Sequence, residues 1–403
     1  MGGEVKAPGQ AMHDPTSRDA GSAAASSRAS EANNGRRRRR AVRVVGVLFA
    51  VVLAEVLLRG GLTLYARFGP PPNCGVRPEL LGRLLYVYAH DRPSPAAMSE
   101  DGIVPDPHRG YRHASGLRTR LLQGVPVSTN SRGMRGSREF DVPRPTSVLR
   151  VVALGDSFTF GEGVPDDATW PAQLEAGLPG TEVANLGERA YAHDQMYFAL
   201  SDDGMPLEPD AVILGFYPND QWRDELTFYC SDKPRFSPGV DGWKIENEPV
   251  PSPWDVYDRY RRLPLLYAVP RLVGEMWTQP PTTDRSGEDR AAEILRRMRE
   301  MVEAAGARFL LVNLPDHPEG PPETRGFFYE YCVRPGAECV DPWAAFRAAA
   351  GTDDPVALRA RYQRPQDIHY SREGYAVVAE ALRLHFVQHP LFRATRAPSA
   401  SPP

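Results

Sequence analysis

The pattern of apolar and polar positions changes character twice along this chain. From Leu149 onward, short apolar runs take turns with stretches in which apolar residues recur every three or four positions. The runs 149–155, 181–186, 210–216, 307–314 and 338–340 predict strands. The stretches near Thr169–Ala176, Tyr191–Leu200, Glu288–Ala305 and Glu373–His385 predict amphipathic helices, with Gly306 as a C-cap for the third. Strands alternating with helices imply an α/β domain whose parallel sheet is covered on both faces. Residues 220–285 break this rhythm with Trp, Tyr and Pro and read as an insertion over the site.

Ahead of that region, residues 66–147 are rich in Pro, Gly and Arg. They read as a stalk ending in short strands or turns packed on the domain, with Asn130-Ser131-Arg132-Gly133 as one turn. Further upstream, Val44–Leu58 is an apolar run that closely follows the basic run Arg36 to Arg40. Basic residues in that position read as the positive-inside flank of a membrane segment rather than as a nucleic-acid contact. The run is shorter than the roughly 20 residues of a full span. Leu62-Thr63-Leu64-Tyr65 extends it if Arg59 snorkels to the interface and Glu55 is tolerated. The rival reading is a cleaved secretory signal, with Val52 and Ala54 as small residues of a cleavage site. The long leader before the apolar run favours an uncleaved anchor. Either way, everything after Tyr65 is expected outside the cytoplasm. Residues 1–35, rich in Ala, Ser, Gly and Asn, read as disordered.

Composition changes this picture in three respects. With 403 residues, 41% of them hydrophobic, the chain is long enough for one large core or two smaller ones. A formal net charge of −3 gives no reason to expect nucleic acid as a partner. Of four cysteines, Cys332 and Cys339 are close enough to close a small loop, as a disulfide or as free buried thiols, and Cys74 and Cys230 are left over. Neither a CxxC pair nor an HExxH motif is present, so no metal or other cofactor is expected.

The candidate chemistry gathers at strand ends. Val151 to Gly163 reads VVALGDSFTFGEG, a buried strand that ends in a Gly-assisted loop carrying Asp156-Ser157. Gly187 follows the second strand, Asn219 the third, and Asp367-Ile368-His369 comes in a late loop. A serine hydroxyl becomes a useful nucleophile when a histidine takes its proton and a carboxylate orients that histidine. The backbone N–H groups of Ser157 and Gly187 and the side-chain amide of Asn219 are candidate donors to the negative oxygen of acyl transfer. His193 and His317 lie near strand ends and read as solvated loop residues, while Arg189 and Trp222 flank the oxyanion elements as candidate substrate contacts.

Taken together, these blocks resemble the SGNH (GDSL-like) hydrolase superfamily over residues 148–388. They are GDSF at Gly155–Phe158, Asn-Leu-Gly at 185–187, Asn-Asp at 219–220 and the Asp/His block at 367–369. The resemblance implies a three-layer, flavodoxin-like α/β fold, preceded here by one transmembrane helix. It implies Ser157 as nucleophile, His369 as base, Ser157, Gly187 and Asn219 as oxyanion hole, and no metal. More narrowly, the anchor, TNSRGMRG at Thr129–Gly136 and LGDSFTFGEGV at Leu154–Val164 look like bacterial membrane-anchored members. Two departures stand out. Tyr217 replaces the usual Gly two residues before the Asn, which narrows the pocket or changes the loop but leaves the Asn219 amide available. A single residue separates Asp367 from His369, where Asp-x-x-His is usual; the shorter form resembles extracytoplasmic glycan O-acetyltransferases. Asp341 and Asp354 are the alternative carboxylates for orienting His369.

The expected organisation is a disordered basic tail (1–40), a transmembrane anchor (41–66), a stalk and N-terminal extension (67–147), the hydrolase-like domain (148–390) and a disordered tail (391–403). The expected function is a serine-dependent esterase, single-pass in a bacterial cytoplasmic membrane with its domain on the periplasmic or extracellular side, acting on O-acetyl esters of a glycan. Alternatives are a glycan O-acetyltransferase using the same Ser/His site, a lysophospholipase-like lipid esterase with an apolar groove formed by 220–285, or a non-catalytic glycan-binding or assembly protein. A membrane partner that supplies acetyl groups would accompany the transferase.

Overall fold

The structure, a computed structural model, describes residues 16–69, 74–100, 102–118, 120–122, 124–278, 284–315 and 326–391. It opens with one long helix, α1 (Thr16–Phe68). Residues 16–40, expected to be disordered, are therefore helical; residues 1–15 and most of the expected C-terminal tail lie outside the described residues. Between Pro15 and Pro70 no proline interrupts a segment rich in Ala, Arg and Leu, which are good helix formers. Within α1, Asn33–Phe68 is long and apolar enough to cross a membrane.

The far end of α1 is built into the rest of the molecule. Glu55 accepts hydrogen bonds from the backbone N–H groups of Leu265 and Leu266, each at 3.0 Å. Arg59 does not snorkel away: it donates to the Tyr88 hydroxyl and to the carbonyls of Arg261 and Leu263. The described residues of 79–147 likewise pack down, the short strands expected at the end of a stalk among them. Helix α2 (Glu79–Ala89) buries Leu80, Leu84 and Val87 in a cluster that also holds Leu265 and Ala268. Two hairpins, Ile103–Asp106 with Gly110–His113 and Arg120–Leu122 with Val125–Val127, follow. Arg109 is buried between Asp106 and Asp203, and the Arg135 N–H donates to the Asn185 carbonyl at the sheet edge. These arginines look polar in sequence but are paired, so they enter the interior.

Five parallel strands form the central sheet: β1 (Leu149–Leu154), β2 (Thr181–Asn185), β3 (Ala211–Phe216), β4 (Arg308–Asn313) and β5 (Cys339–Val340). Their spatial order is β2-β1-β3-β4-β5, the flavodoxin-like winding. Alternate side chains feed two cores, as the pleat requires. Val152, Leu154, Val212, Leu214 and Leu311 pack on one face, and Val151, Ala153, Ile213, Leu310 and Val312 on the other. Helices then follow in chain order: α3 (Ser157–Phe160), α4 (Trp170–Gly177), α5 (His193–Ala199), α6 (Asp220–Arg223), α7 (Pro253–Arg262), α8 (Leu265–Thr278), α9 (Asp284–Ala304) and α10 (Arg372–Gln388). α5 and α9 cover the first face, α4 and α10 the second. The 220–285 region supplies α6, a hairpin (Arg235–Gly239 with Gly242–Glu246), α7 and α8. Two disulfides are present: Cys332–Cys339 and Cys74–Cys230, the second joining the two cysteines left over in sequence.

Candidate active site

β1 is a central strand, and its carboxyl end passes through Gly155-Asp156 into the single turn α3. The Asp156 carboxylate accepts from the Phe158 N–H at 2.9 Å, and the Asp156 carbonyl accepts from Thr159 and Phe160. This cap fixes Ser157 at the first position of the turn. It leaves the Ser157 N–H without an acceptor among the described residues.

His369 arrives from the loop before α10, and its Nε2 lies 2.8 Å from Ser157 Oγ. Its Nδ1 lies 2.7 Å from Asp367 Oδ1, so Asp367 sets the tautomer: Nδ1–H donates to the carboxylate and Nε2 is left to accept from the serine hydroxyl. The tight loop reaches this geometry with Gln366 in the left-handed region at φ 59°. Asp367 Oδ2 accepts from Arg364 at 2.5 Å. Gly163 makes room for that arginine, since a Cβ there would stand 1.8 Å from the guanidinium. Burial raises the Asp367 pKa, but hydrogen bonds from the His369 ring and backbone, with the charges of His369 and Arg364, outweigh it and hold the carboxyl below its ordinary value. Asp341 instead accepts from Tyr329 and Asp354 caps a helix, so the alternative carboxylates are engaged elsewhere.

The three expected oxyanion donors are differently placed. Gly187 packs directly on the nucleophile turn, where a Cβ would meet the Phe160 nitrogen at 2.3 Å. Its N–H donates to Asn185 Oδ1 at 2.9 Å. Asn219 is exposed, and its amide nitrogen, expected to be available, donates one hydrogen to the Tyr217 hydroxyl at 2.7 Å. One amide hydrogen remains. Tyr217 in turn packs against Phe158, the residue after the nucleophile, with ring centroids 4.9 Å apart.

Behind the turn lies a buried charge network. Arg223 donates to Asp156 at 3.1 Å, to Asp220 at 2.6 Å and to the Tyr191 carbonyl at 3.0 Å. Burial pushes the Asp220 carboxyl well above its usual range, the Asp156 charge pushes the same way, and Arg223 opposes them. His193, read as solvated, is fully buried with Nδ1 2.7 Å from Asp224. A carboxylate thirty-one positions away has no local signature, which is why the sequence did not show it. His317 lies outside the described residues.

Sequence reasoning missed Glu162 and Arg364. Glu162 Oε2 stands 3.8 Å from His369 Nε2, and Oε1 accepts from Arg189 at 2.9 Å. The signal was Gly161-Glu162-Gly163, a lone carboxylate between two glycines just past the nucleophile. Arg189 is thus a partner of the site and also lines an apolar cavity of about 390 Å3 with Tyr86, Met98, Phe228, Tyr229 and Val256. Trp222 is partly exposed and meets Tyr229 edge-on. Among the described residues, no group of three His, Cys, Asp or Glu side chains is placed to hold a metal ion.

Structures similar to this chain include a G-D-S-L family protein from Desulfitobacterium hafniense (19% identity, 59% of this chain and 98% of that one, TM-score 0.36). Others are a G-D-S-L family lipolytic protein from Veillonella parvula (11%, 60% and 100%, 0.35) and the lipase/acylhydrolase from Enterococcus faecalis (16%, 62% and 100%, 0.35). No curated protein matches the chain. Residues 153–377, more than half of its length, match the GDSL-like lipase/acylhydrolase family, and to that family of ester hydrolases this protein belongs.

Proposed function

We propose that the protein hydrolyses O-acetyl esters of an extracytoplasmic glycan, with Ser157 as nucleophile, His369 as base and Asp367 as orienting carboxylate. The observation that carries this reading is the unbroken chain from Ser157 Oγ through His369 to Asp367, at 2.8 and 2.7 Å. In the forward step Ser157 Oγ attacks the ester carbonyl while His369 Nε2 takes its proton, and the imidazolium is held between Asp367 and the nearby Glu162 carboxylate. The Ser157 N–H and the second Asn219 hydrogen supply donors to the developing oxyanion, and the Gly187 N–H joins them by sharing its bond with Asn185. Collapse expels the alcohol with the proton from His369. Water, activated by the same histidine, then releases acetate.

Three observations support an extracytoplasmic acetyl ester. The apolar part of α1 follows the basic run Arg36–Arg40 within the same helix, as in a signal anchor. Two disulfides fit an oxidising compartment. The short Asp-x-His block resembles that of glycan O-acetyltransferases, so a sugar hydroxyl in place of water would turn the same site into a transferase fed by a membrane partner. The apolar cavity beside Arg189, walled partly by the 220–285 insertion, favours a second reading, an ester with a longer acyl chain.

Chain-length preference separates the two. The acetyl reading predicts that kcat/KM on aryl esters peaks at acetate and falls at least tenfold by octanoate, with acetate released from an acetylated polysaccharide. A maximum at octanoate or longer overturns it in favour of the lipid ester.

A further inference from the structure

Helix α8 leaves much of its apolar surface uncovered. Leu265, Ala268 and Leu272 turn inward to the cluster shared with α1 and α2. On the adjacent flank Val269, Val273 and Met276 form an i, i+4, i+7 stripe beside Trp277, and these four are 41, 48, 66 and 85% exposed. Tyr267 is exposed as well. A patch of this kind on one helix needs a cover.

Its position in the molecule says what the cover is. The Glu55 carboxylate caps the first turn of α8, and Arg59 reaches the carbonyls of Arg261 in the last turn of α7 and of Leu263 in the link that follows, so α8 is fixed to α1 at that level. About 20 helical residues cross a hydrocarbon core of about 30 Å. A span that starts after the basic run ending at Arg40 therefore leaves the core near Gly60, within a turn or two of the point where α8 is attached. The exposed apolar surface of α1, including Val51, Val52, Val56 and Leu57, is continuous in level with the α8 attachment. Beside it, Arg259, Arg261, Arg262 and Arg271 are exposed, the complement of an anionic headgroup layer. Tryptophan and tyrosine at the margin of an apolar stripe are the usual side chains of the membrane interface.

We propose that α8 is an interfacial helix: its Val269, Val273, Met276 and Trp277 face enters the outer leaflet of the bilayer that α1 spans, with the α7 arginines on anionic headgroups. The proposal rests on reading α1 as a membrane anchor. It gives the domain two attachments, one spanning and one lying in the interface, and so a fixed height and orientation above the bilayer instead of free rotation on a tether. Through α2 and α7, which contribute Tyr86 and Val256 to the apolar cavity, the same contact sets the cavity's distance from the lipid.

The test uses the full chain in vesicles of phosphatidylcholine and phosphatidylglycerol, with part of the phosphatidylcholine brominated near the headgroup end of its acyl chains. After a carbonate wash, tryptophan quenching is compared between wild type and Trp277→Phe, and with Val273→Glu combined with Met276→Glu, two exposed positions. The expected result is that wild type loses more emission than Trp277→Phe by about one tryptophan's share of the six present, and that the double variant loses this component. Hydrolysis of a soluble aryl acetate should be equal in all three. Release by carbonate would overturn the anchor reading and this proposal with it. Retention with equal quenching of wild type and Trp277→Phe would overturn the interfacial helix alone. Retention with Trp277 emission blue-shifted but insensitive to bromine would put a protein, a second copy or another partner, on this face and overturn the lipid assignment.

Discussion

Asp367 Oδ1 reaches His369 Nδ1 at 2.7 Å across a single intervening residue. The same oxygen accepts the His369 backbone N–H at 3.2 Å, so the loop closes on itself and the short spacing is compatible with an oriented imidazole. Replacing Asp367 with Asn keeps the shape but presents an amide where the Nδ1–H must donate. We expect kcat to fall by roughly 10²–10⁴ with KM little changed, by the logic of charge and tautomer loss at a histidine base. Arg364→Ala removes only the partner of the outer carboxylate oxygen and should cost about tenfold or less. Steady-state kinetics on one ester checks both, and equal losses in the two variants would contradict this division of labour.

Glu162 stands 3.8 Å from the nitrogen that carries the proton after serine attack. A carboxylate there favours the imidazolium, with part of its charge neutralised by Arg189. Glu162→Gln should lower kcat about tenfold, roughly 1.4 kcal/mol, while thermal stability changes little. An unchanged kcat would reduce Glu162 to a tether for Arg189.

Asp220 and Asp367 respond to pH with opposite signs. Burial raises the Asp220 carboxyl above its ordinary value of about 4, so the folded protein keeps a proton there to higher pH than the unfolded chain does. The stability tied to that proton is full below pH 4 and is lost as pH rises toward the elevated folded value. Asp367, lowered by its partners, contributes stability above about pH 4 that is lost as pH falls through its folded value. Asp220→Asn should therefore flatten the decline in melting temperature as pH rises above the ordinary carboxylate value, measured on the full chain in detergent. An unaltered slope would show that Asp220 is ionised with Arg223 throughout.

The Cys74–Cys230 bond closes a loop with a sequence separation of 156, against 7 for Cys332–Cys339. Constraint of the unfolded chain grows with loop length, so Cys74→Ser with Cys230→Ser should destabilise by about 3–5 kcal/mol and the other pair by less. Differential scanning calorimetry of the two double variants gives the comparison, and the reverse order would contradict it.

How much of this was legible in sequence depended on whether the signal was local. The five strands announced themselves as buried runs, and Ser157, Asn219 and His369 stood beside turn residues at element ends. What stayed hidden rests on long-range pairing. Arg109 and Arg135 fall in the Arg-rich stretch expected to be a stalk, and nothing local marks them as interior; their carboxylate and carbonyl partners far along the chain draw them inside. His193 looked solvated because Asp224 was not visible beside it. Glu55 and Arg59 looked like flaws in an apolar run and are instead the joints between α1 and the α7–α8 pair.

The most direct measurement is hydrolysis of a short-chain aryl acetate by the full chain in detergent, beside Ser157→Ala and His369→Ala, with fluorophosphonate labelling of each. Both variants should lose at least about 10³-fold in kcat/KM, and labelling should disappear with Ser157. Hydrolysis that survives Ser157→Ala, or a folded wild type that neither hydrolyses the ester nor takes the label, would contradict catalysis by Ser157 and His369.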